Sequence, residues 1–431
     1  MKTLRKFLMG KPEKIQRDSY FWNMISGLLN AGQSVLILMV LSRTNGQYES
    51  GIFTIAFATA NLLLCIGNYG MRNYQVTDIN EQFGFLDYLG SRVITGFCMV
   101  AAGVLYVVYG GYQKSYSIEK VWIVLLVILL KLIDAFEDVI YGMYQKKGRL
   151  DVGGKAYSLR LMITLISMCL GLVLTKKVIL TLIITILISV ISFFILVSCT
   201  LLEIPYGISS FSTSKSIGLL RACFGVFLST FLSFYIINAP KYSIDNLLIQ
   251  EEQAYFGYIS MPLFVVSLLN NFLYQPILTS LALDWQEKRI SQFIKRIKRQ
   301  IVFILGISFI ICILAFLFGI PFLSILYNSD LSIYKNAFMI LILGSGIFAI
   351  VGFLTIIITI IRRQKDLVIG YIIAAFSAMI INPLLVKKYA LDGAALGYTL
   401  IVSVLLVMFV LLLSFRIRSE IKSEERSQGT E

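Results

Sequence analysis

The 431-residue chain is 58% apolar and only 14% charged, whereas an ordinary soluble domain is about half apolar and about a quarter charged, and that balance argues against a water-soluble fold. Its net charge of +14 comes without a single histidine, which removes the commonest metal ligand and the usual proton shuttle near neutral pH. The six cysteines (Cys65, Cys98, Cys169, Cys199, Cys223 and Cys312) all lie in apolar blocks without a CxxC spacing, so they read as small packing residues, not as a disulfide or metal set.

Residues 1–19 are basic and polar, and the apolar block from Tyr20 runs on with no small-residue cleavage site behind it. It reads as a retained membrane anchor. Helices are predicted at 20–42, 51–69, 92–109, 121–143, 157–175, 178–202, 219–249, 254–283, 301–320, 335–361, 367–386 and 393–415. Each is close to the roughly 20 residues that an α-helix needs to cross a hydrocarbon core. A transmembrane β-barrel would alternate apolar and polar residues in segments of about ten, and these blocks are continuously apolar. Twelve crossings put both termini on one side. That side carries 28 of the 38 Lys+Arg and the opposite loops carry nine, with Lys131 in mid-span. Basic loops stay in the cytoplasm, so both termini are expected there and a nucleic-acid role is unnecessary. The polar stretch Glu203–Ser216 falls between the sixth and seventh blocks. The expected organisation is a cytoplasmic segment at 1–19, a six-helix bundle at 20–202, a linker at 203–218, a second six-helix bundle at 219–415 and a cytoplasmic tail at 416–431.

In the first block Asn23, Gly27, Asn30 and Ser34 share a stripe with Gln33 beside it. In the second, Thr54, Asn61, Cys65 and Asn68 recur on one face, and a shift of 206 residues lays Gly51–Gly70 over Gly257–Pro276, with Ser260, Ser267, Asn271 and Tyr274 at the equivalent places. Matched polar stripes suit two parallel repeats around a shared cavity; small polar residues also simply pack helices together. The fourth block is interrupted by Lys131, Asp134, Glu137 and Asp138. Charges at membrane depth cost about 3 kcal/mol or more and therefore pair or face a bundle interior. A static ion-pair lock and an ion-coupling relay both fit. The seventh block holds Asn238, Pro240, Lys241, Tyr242 and Asp245. Proline kinks the helix there, and Lys241 and Asp245, four apart, either neutralise each other in a partly wet cavity or sit in the outer interface with Lys241 snorkelling. The eighth block adds Asn270, Asn271 and Gln275. Amides bind sugars or headgroups through paired donors and acceptors; they also glue helices. Arg43, Arg72, Arg92, Arg160 and Arg221 read as helix-end residues, mostly topology determinants or lipid anchors, with one or two available to grip a phosphate. Gly153-Gly154-Lys155-Ala156 lacks the hydroxyl and spacing of a phosphate loop, and no catalytic centre, metal site or cofactor site is recognisable.

Several strings then converge. "GNYGMRNYQVTDI" (Gly67–Ile79), "INAPKYSIDNLL" (Ile237–Leu248), "EEQAYFGYISMP" (Glu251–Pro262) and "PFLSILYNSD" (Pro321–Asp330) resemble the polysaccharide flippase branch of the multidrug/oligosaccharidyl-lipid/polysaccharide (MOP) superfamily, over essentially the whole chain. The resemblance implies an all-α integral membrane fold of about twelve helices in two six-helix bundles forming a V around a central cavity. It implies outward movement of undecaprenyl-pyrophosphate-linked oligosaccharide by alternating access, with membrane lipids around it and a polysaccharide polymerase and chain-length machinery as companions. No binding residue carries over from the family. The cavity residues expected on physical grounds are Asn23, Asn30, Gln33, Asn61, Asn68, Arg72, Asn238, Lys241, Tyr242, Asp245, Asn270, Asn271 and Gln275. A multidrug antiporter, which Asp245 keeps open, a lipid II flippase and a membrane-embedded polysaccharide polymerase or ligase are the competing readings.

Overall fold

A computed structural model describes the chain except for residues 79–80, 115, 202–211, 264–276, 279 and 429–431. In lipid every backbone N–H and C=O must find its partner inside the segment, which a helix achieves alone, and among the described residues there is no β-strand. The helices are α1 (Lys2–Met9), α2 (Ile15–Thr44), α3 (Gln47–Asn68), α4 (Met71–Thr77), α5 (Phe85–Lys114), α6 (Ile118–Lys146), α7 (Leu150–Thr175), α8 (Val178–Leu201), α9 (Thr213–Leu247) and α10 (Gln250–Ser260). They continue with α11 (Ile290–Leu314), which runs through one π-turn into α12 (Ile320–Tyr327), then α13 (Lys335–Ile360) and α14 (Gln364–Gln428).

Among the described residues nine helical stretches are long and apolar enough to cross a membrane. Two more crossings are recognisable. The 29-residue α6 is set apart by its four ionisable side chains and not by its length, and α14 turns at Ala390 (φ 47°, ψ −126°), so it holds two arms. Helix α10 opens the predicted eighth crossing, most of which lies outside the described residues. The chain is a multi-pass membrane protein.

Packing divides it into two units, Met1–Phe231 and Leu232–Glu431. The predicted linker falls largely on residues outside the described set. In the first unit α2 packs on α7, α3 on α5 and α6, α6 on α8, and α7 on α8. Small residues let α3 take the inside position, where Ala56, Ala58, Ala60 and Thr59 are all buried, because close helix approach in membranes depends on small side chains. The start of α9 is tied to α5, with Ser91 Oγ donating to the Ser216 carbonyl at 3.2 Å. Large side chains at Leu187, Ile191 and Phe194 on α8 remain exposed, as a lipid-facing surface requires. In the second unit α13 packs along α14, and the core gathers Phe353, Leu354, Tyr371, Leu405 and Phe409. Phe303, Phe309, Phe316 and Phe318 point outward from the α11–α12 stretch.

Several helices begin earlier than their apolar blocks, among them α2 at Ile15, α5 at Phe85, α7 at Leu150 and α11 at Ile290. Polar first turns look like loop in the sequence. Here facing helices satisfy them, and this shift changes the meaning of two arginines.

Candidate functional site

The richest polar cluster lies inside the first unit, and α6 is its hub. Residues spaced by three and four share a helix face, so Lys131, Asp134, Glu137 and Asp138 form one stripe. Lys131 is 2% exposed. Its Nζ donates to Gln33 Oε1 of α2 at 2.8 Å and to Asp134 Oδ2 at 2.9 Å, and it sits 4.9 Å from the Phe57 ring centre. Asp134 also takes a short contact from the Arg160 guanidinium of α7, whose Nε reaches Glu137 Oε2 at 2.6 Å and whose third nitrogen donates to Ser189 Oγ of α8 at 3.0 Å. Thr164 Oγ1 donates to the same serine at 3.1 Å.

Asp138 turns to other partners. Arg92 of α5, fully buried, donates to its Oδ2 at 2.9 Å, to the Gly67 carbonyl by a short bond and to Asn68 Oδ1 at 3.4 Å. Arg72 of α4 lies 3.7 Å from Asp138 Oδ1, donates to Gln145 Oε1 at 2.7 and 3.2 Å, and stacks over Tyr141 at 3.9 Å. Gly142 makes this approach possible, since a Cβ there would stand 3.3 Å from Arg72 Cγ and closer still to the Gln75 amide. Tyr141 in turn donates to Asn23 Oδ1, while Asn23 Nδ2 donates to the Ser19 carbonyl at 2.6 Å.

Arg92 and Arg160 are therefore not helix-end anchors. Each lies at least two turns inside its helix, and both are fully or almost fully buried in ion pairs. The pairing within α6 is between Lys131 and Asp134; Asp138 is held by arginines from other helices. Four cations meet three carboxylates, leaving one positive charge over. Arg72, with a third of its side chain exposed, has the loosest ion pair of the four.

The other predicted residues scatter. Asn30 is exposed; Asn61 is half-buried and donates to the Phe57 carbonyl of its own helix at 2.8 Å. In α9, Asn238 is buried and donates to the Phe234 carbonyl at 3.0 Å, and Tyr242 stacks on Tyr235 at 5.9 Å. The helix runs on through Pro240. Asp245 is buried and Lys241 half-buried, and no ion pair joins them. Asn270, Asn271 and Gln275 lie outside the described residues. Arg160, Ser189, Gln145 and Tyr141 were not among the predicted site residues. Two acids three residues apart on one stripe, each needing a cation at depth, were the signal that a second helix must supply one.

The fold of this all-helical membrane bundle is similar to that of solved transporters of the MOP superfamily. It matches lipid II flippase MurJ in an inward closed conformation with a TM-score of 0.71, 14% identity, and coverage of 92% of this chain and 87% of that one. It matches an inward-facing multidrug resistance MATE family transporter of the MOP superfamily with a TM-score of 0.69, 13% identity, and coverage of 94% and 98%. In sequence, the chain is 25% identical over 406 residues to the capsular polysaccharide biosynthesis protein CapF of Staphylococcus aureus, covering 91% of this chain and 97% of that protein. No family model matches.

Proposed function

We propose that the protein is a flippase that carries undecaprenyl-pyrophosphate-linked oligosaccharide from the cytoplasmic to the outer leaflet of the bacterial cell membrane, by alternating access, for cell-surface polysaccharide assembly. In this reading both termini face the cytoplasm, and the chain forms bundles at 20–202 and 219–415. The observation that carries the reading is Lys241: a half-buried cation in a spanning helix, with no ion pair to any described carboxylate. An unneutralised cation is costly there, and an anionic pyrophosphate would offset that cost. Arg72, a third exposed and only loosely paired with Asp138, offers a second cation, and amides such as Asn23, Gln33 and Asn238 suit sugar hydroxyls. The full-length similarity to a capsular polysaccharide protein supports a glycan-linked substrate, and the MurJ-like fold supports a lipid-linked one.

The test is export in a deletion strain complemented at equal membrane abundance. Lys241→Ala is expected to cut export about tenfold or more, the scale of one charged contact, and Lys241→Arg to retain more activity than Lys241→Gln. Equal export by all three would remove Lys241 from the path. The MATE-like fold and buried Asp245 favour a second reading, a cation-coupled drug antiporter. It would show as drug efflux with no change in lipid-linked oligosaccharide.

A further inference from the structure

The N-terminal segment folds against the first unit beside α7 and α8. Helix α1, of sequence KTLRKFLM, presses Leu8, which is fully buried, against Ala156, Leu196 and Cys199 of α7 and α8. Arg149 donates to the Met9 carbonyl and holds Asp151 at 3.0 Å. Gly10 then turns with φ +60°, a conformation that glycine adopts freely, directly over Lys155; a Cβ there would stand 2.7 Å from Lys155 Nζ. Lys155 itself is spent on Asp18 Oδ2 at 2.8 Å. The segment is thus docked, not a loose charged tail.

Beside it lies an open cleft of about 530 Å³, bordered by α1, the turn after it and the beginning of α2 and α7. Lys6, Lys11 and Lys14 line it with no ion pair to any described residue, and Arg17 joins them, leaning on Asp18 at 3.3 Å. Phe7, Phe21 and Trp22 line the rest, with Trp22 edge-on to both phenylalanines at 5.6 Å. Phe7, Tyr20 and Phe21 are exposed just where the first crossing begins, the place of an aromatic membrane-interface belt. Three exposed lysines without an ion pair to any described residue thus border one cleft together with interface aromatics, a lining that suits an anion with an acyl chain attached.

We propose that this cleft binds the phosphate headgroup of a lipid in the leaflet that borders it, with the lysines on the phosphate and the phenylalanines on the adjoining chain. The source is either an acidic phospholipid of the bilayer or an isoprenyl pyrophosphate, and neither requires the flippase reading to hold. Each cation near an anionic lipid surface is worth about fivefold in affinity.

The experiment uses the purified full-length protein in detergent, titrated by native mass spectrometry and thermal shift with phosphatidylglycerol, farnesyl pyrophosphate, phosphatidylcholine and inorganic phosphate. Saturable binding of phosphatidylglycerol, of farnesyl pyrophosphate or of both is expected, and which of them binds identifies the source. The triple variant Lys6→Gln, Lys11→Gln, Lys14→Gln should weaken that binding at least tenfold with an unchanged melting point in the absence of lipid. The control Lys295→Gln, Lys298→Gln, Arg299→Gln, which removes the same charge from an exposed face elsewhere, should change it less than threefold. Equal loss in both triples, equal binding of phosphatidylcholine, or binding of inorganic phosphate alone would overturn the proposal.

Discussion

Arg160 of α7 pairs with both Asp134 and Glu137 of α6 and so ties the two helices. Breaking a buried pair by removing one partner costs about 3–5 kcal/mol, because it strands the other charge. Arg160→Ala should therefore lower membrane abundance and thermal stability more than Lys131→Met, which leaves Asp134 still paired with Arg160. Arg160→Lys should rescue little, since a lysine cannot divide a planar fork among two carboxylates and Ser189. The double variant Lys131→Met with Asp134→Leu should recover most of what Lys131→Met alone loses. If the double variant is abundant but cannot export, and export by the parent depends on the proton gradient, the cluster is a coupling relay and not a lock. At this scale the acids of α6 were legible because charge in an apolar run stands out. Their partners were not, because Arg92 and Arg160 sit beside polar residues and resemble the start of a helix until the facing helices are known.

The helices themselves were readable where apolar runs are long, and their ends were not. α5 and α7 each begin seven residues before their apolar blocks, with polar first turns that only the assembled bundle satisfies. The charged α6 shows the converse: four ionisable side chains interrupt its apolar run, and the surrounding helices supply Arg72, Arg92 and Arg160 to its carboxylates and Gln33 to its lysine. One backbone feature gave no sequence signal. Ala390 holds φ 47° and ψ −126° between the two arms of α14, a region that costs a residue with a Cβ about 1–3 kcal/mol. Ala390→Gly is expected to raise the melting temperature of the purified protein by a few degrees and Ala390→Val to lower it. A fall on glycine substitution would mean that the turn is not strained.

For the whole molecule, the lysine and arginine bias predicts an orientation that impermeant labelling can check. In a cysteine-free background, cysteines at Gln113 and Ser329 should react with an impermeant maleimide added outside cells, and those at Gly148 and Lys288 should react only after permeabilisation. The opposite pattern would invert the two leaflets in the proposed reaction. The succession of spanning helices follows from the apolar blocks, but the identity of the cargo does not, because a path through a bundle is lined by side chains from many distant blocks. Lys241 illustrates the difficulty: four residues from Asp245 it looked pairable, and in the helix it has no such partner.

The central claim is tested most directly by reconstituting the purified protein into liposomes that carry a fluorescent polyprenyl-pyrophosphate-linked oligosaccharide and adding an impermeant glycosidase outside. In protein-free vesicles only the outer-leaflet half is cleaved. With the protein the cleaved fraction should rise towards completion, and Lys241→Ala should slow that rise about tenfold. A cleaved fraction that stays at the protein-free level, from protein shown to be folded and inserted, would contradict the account.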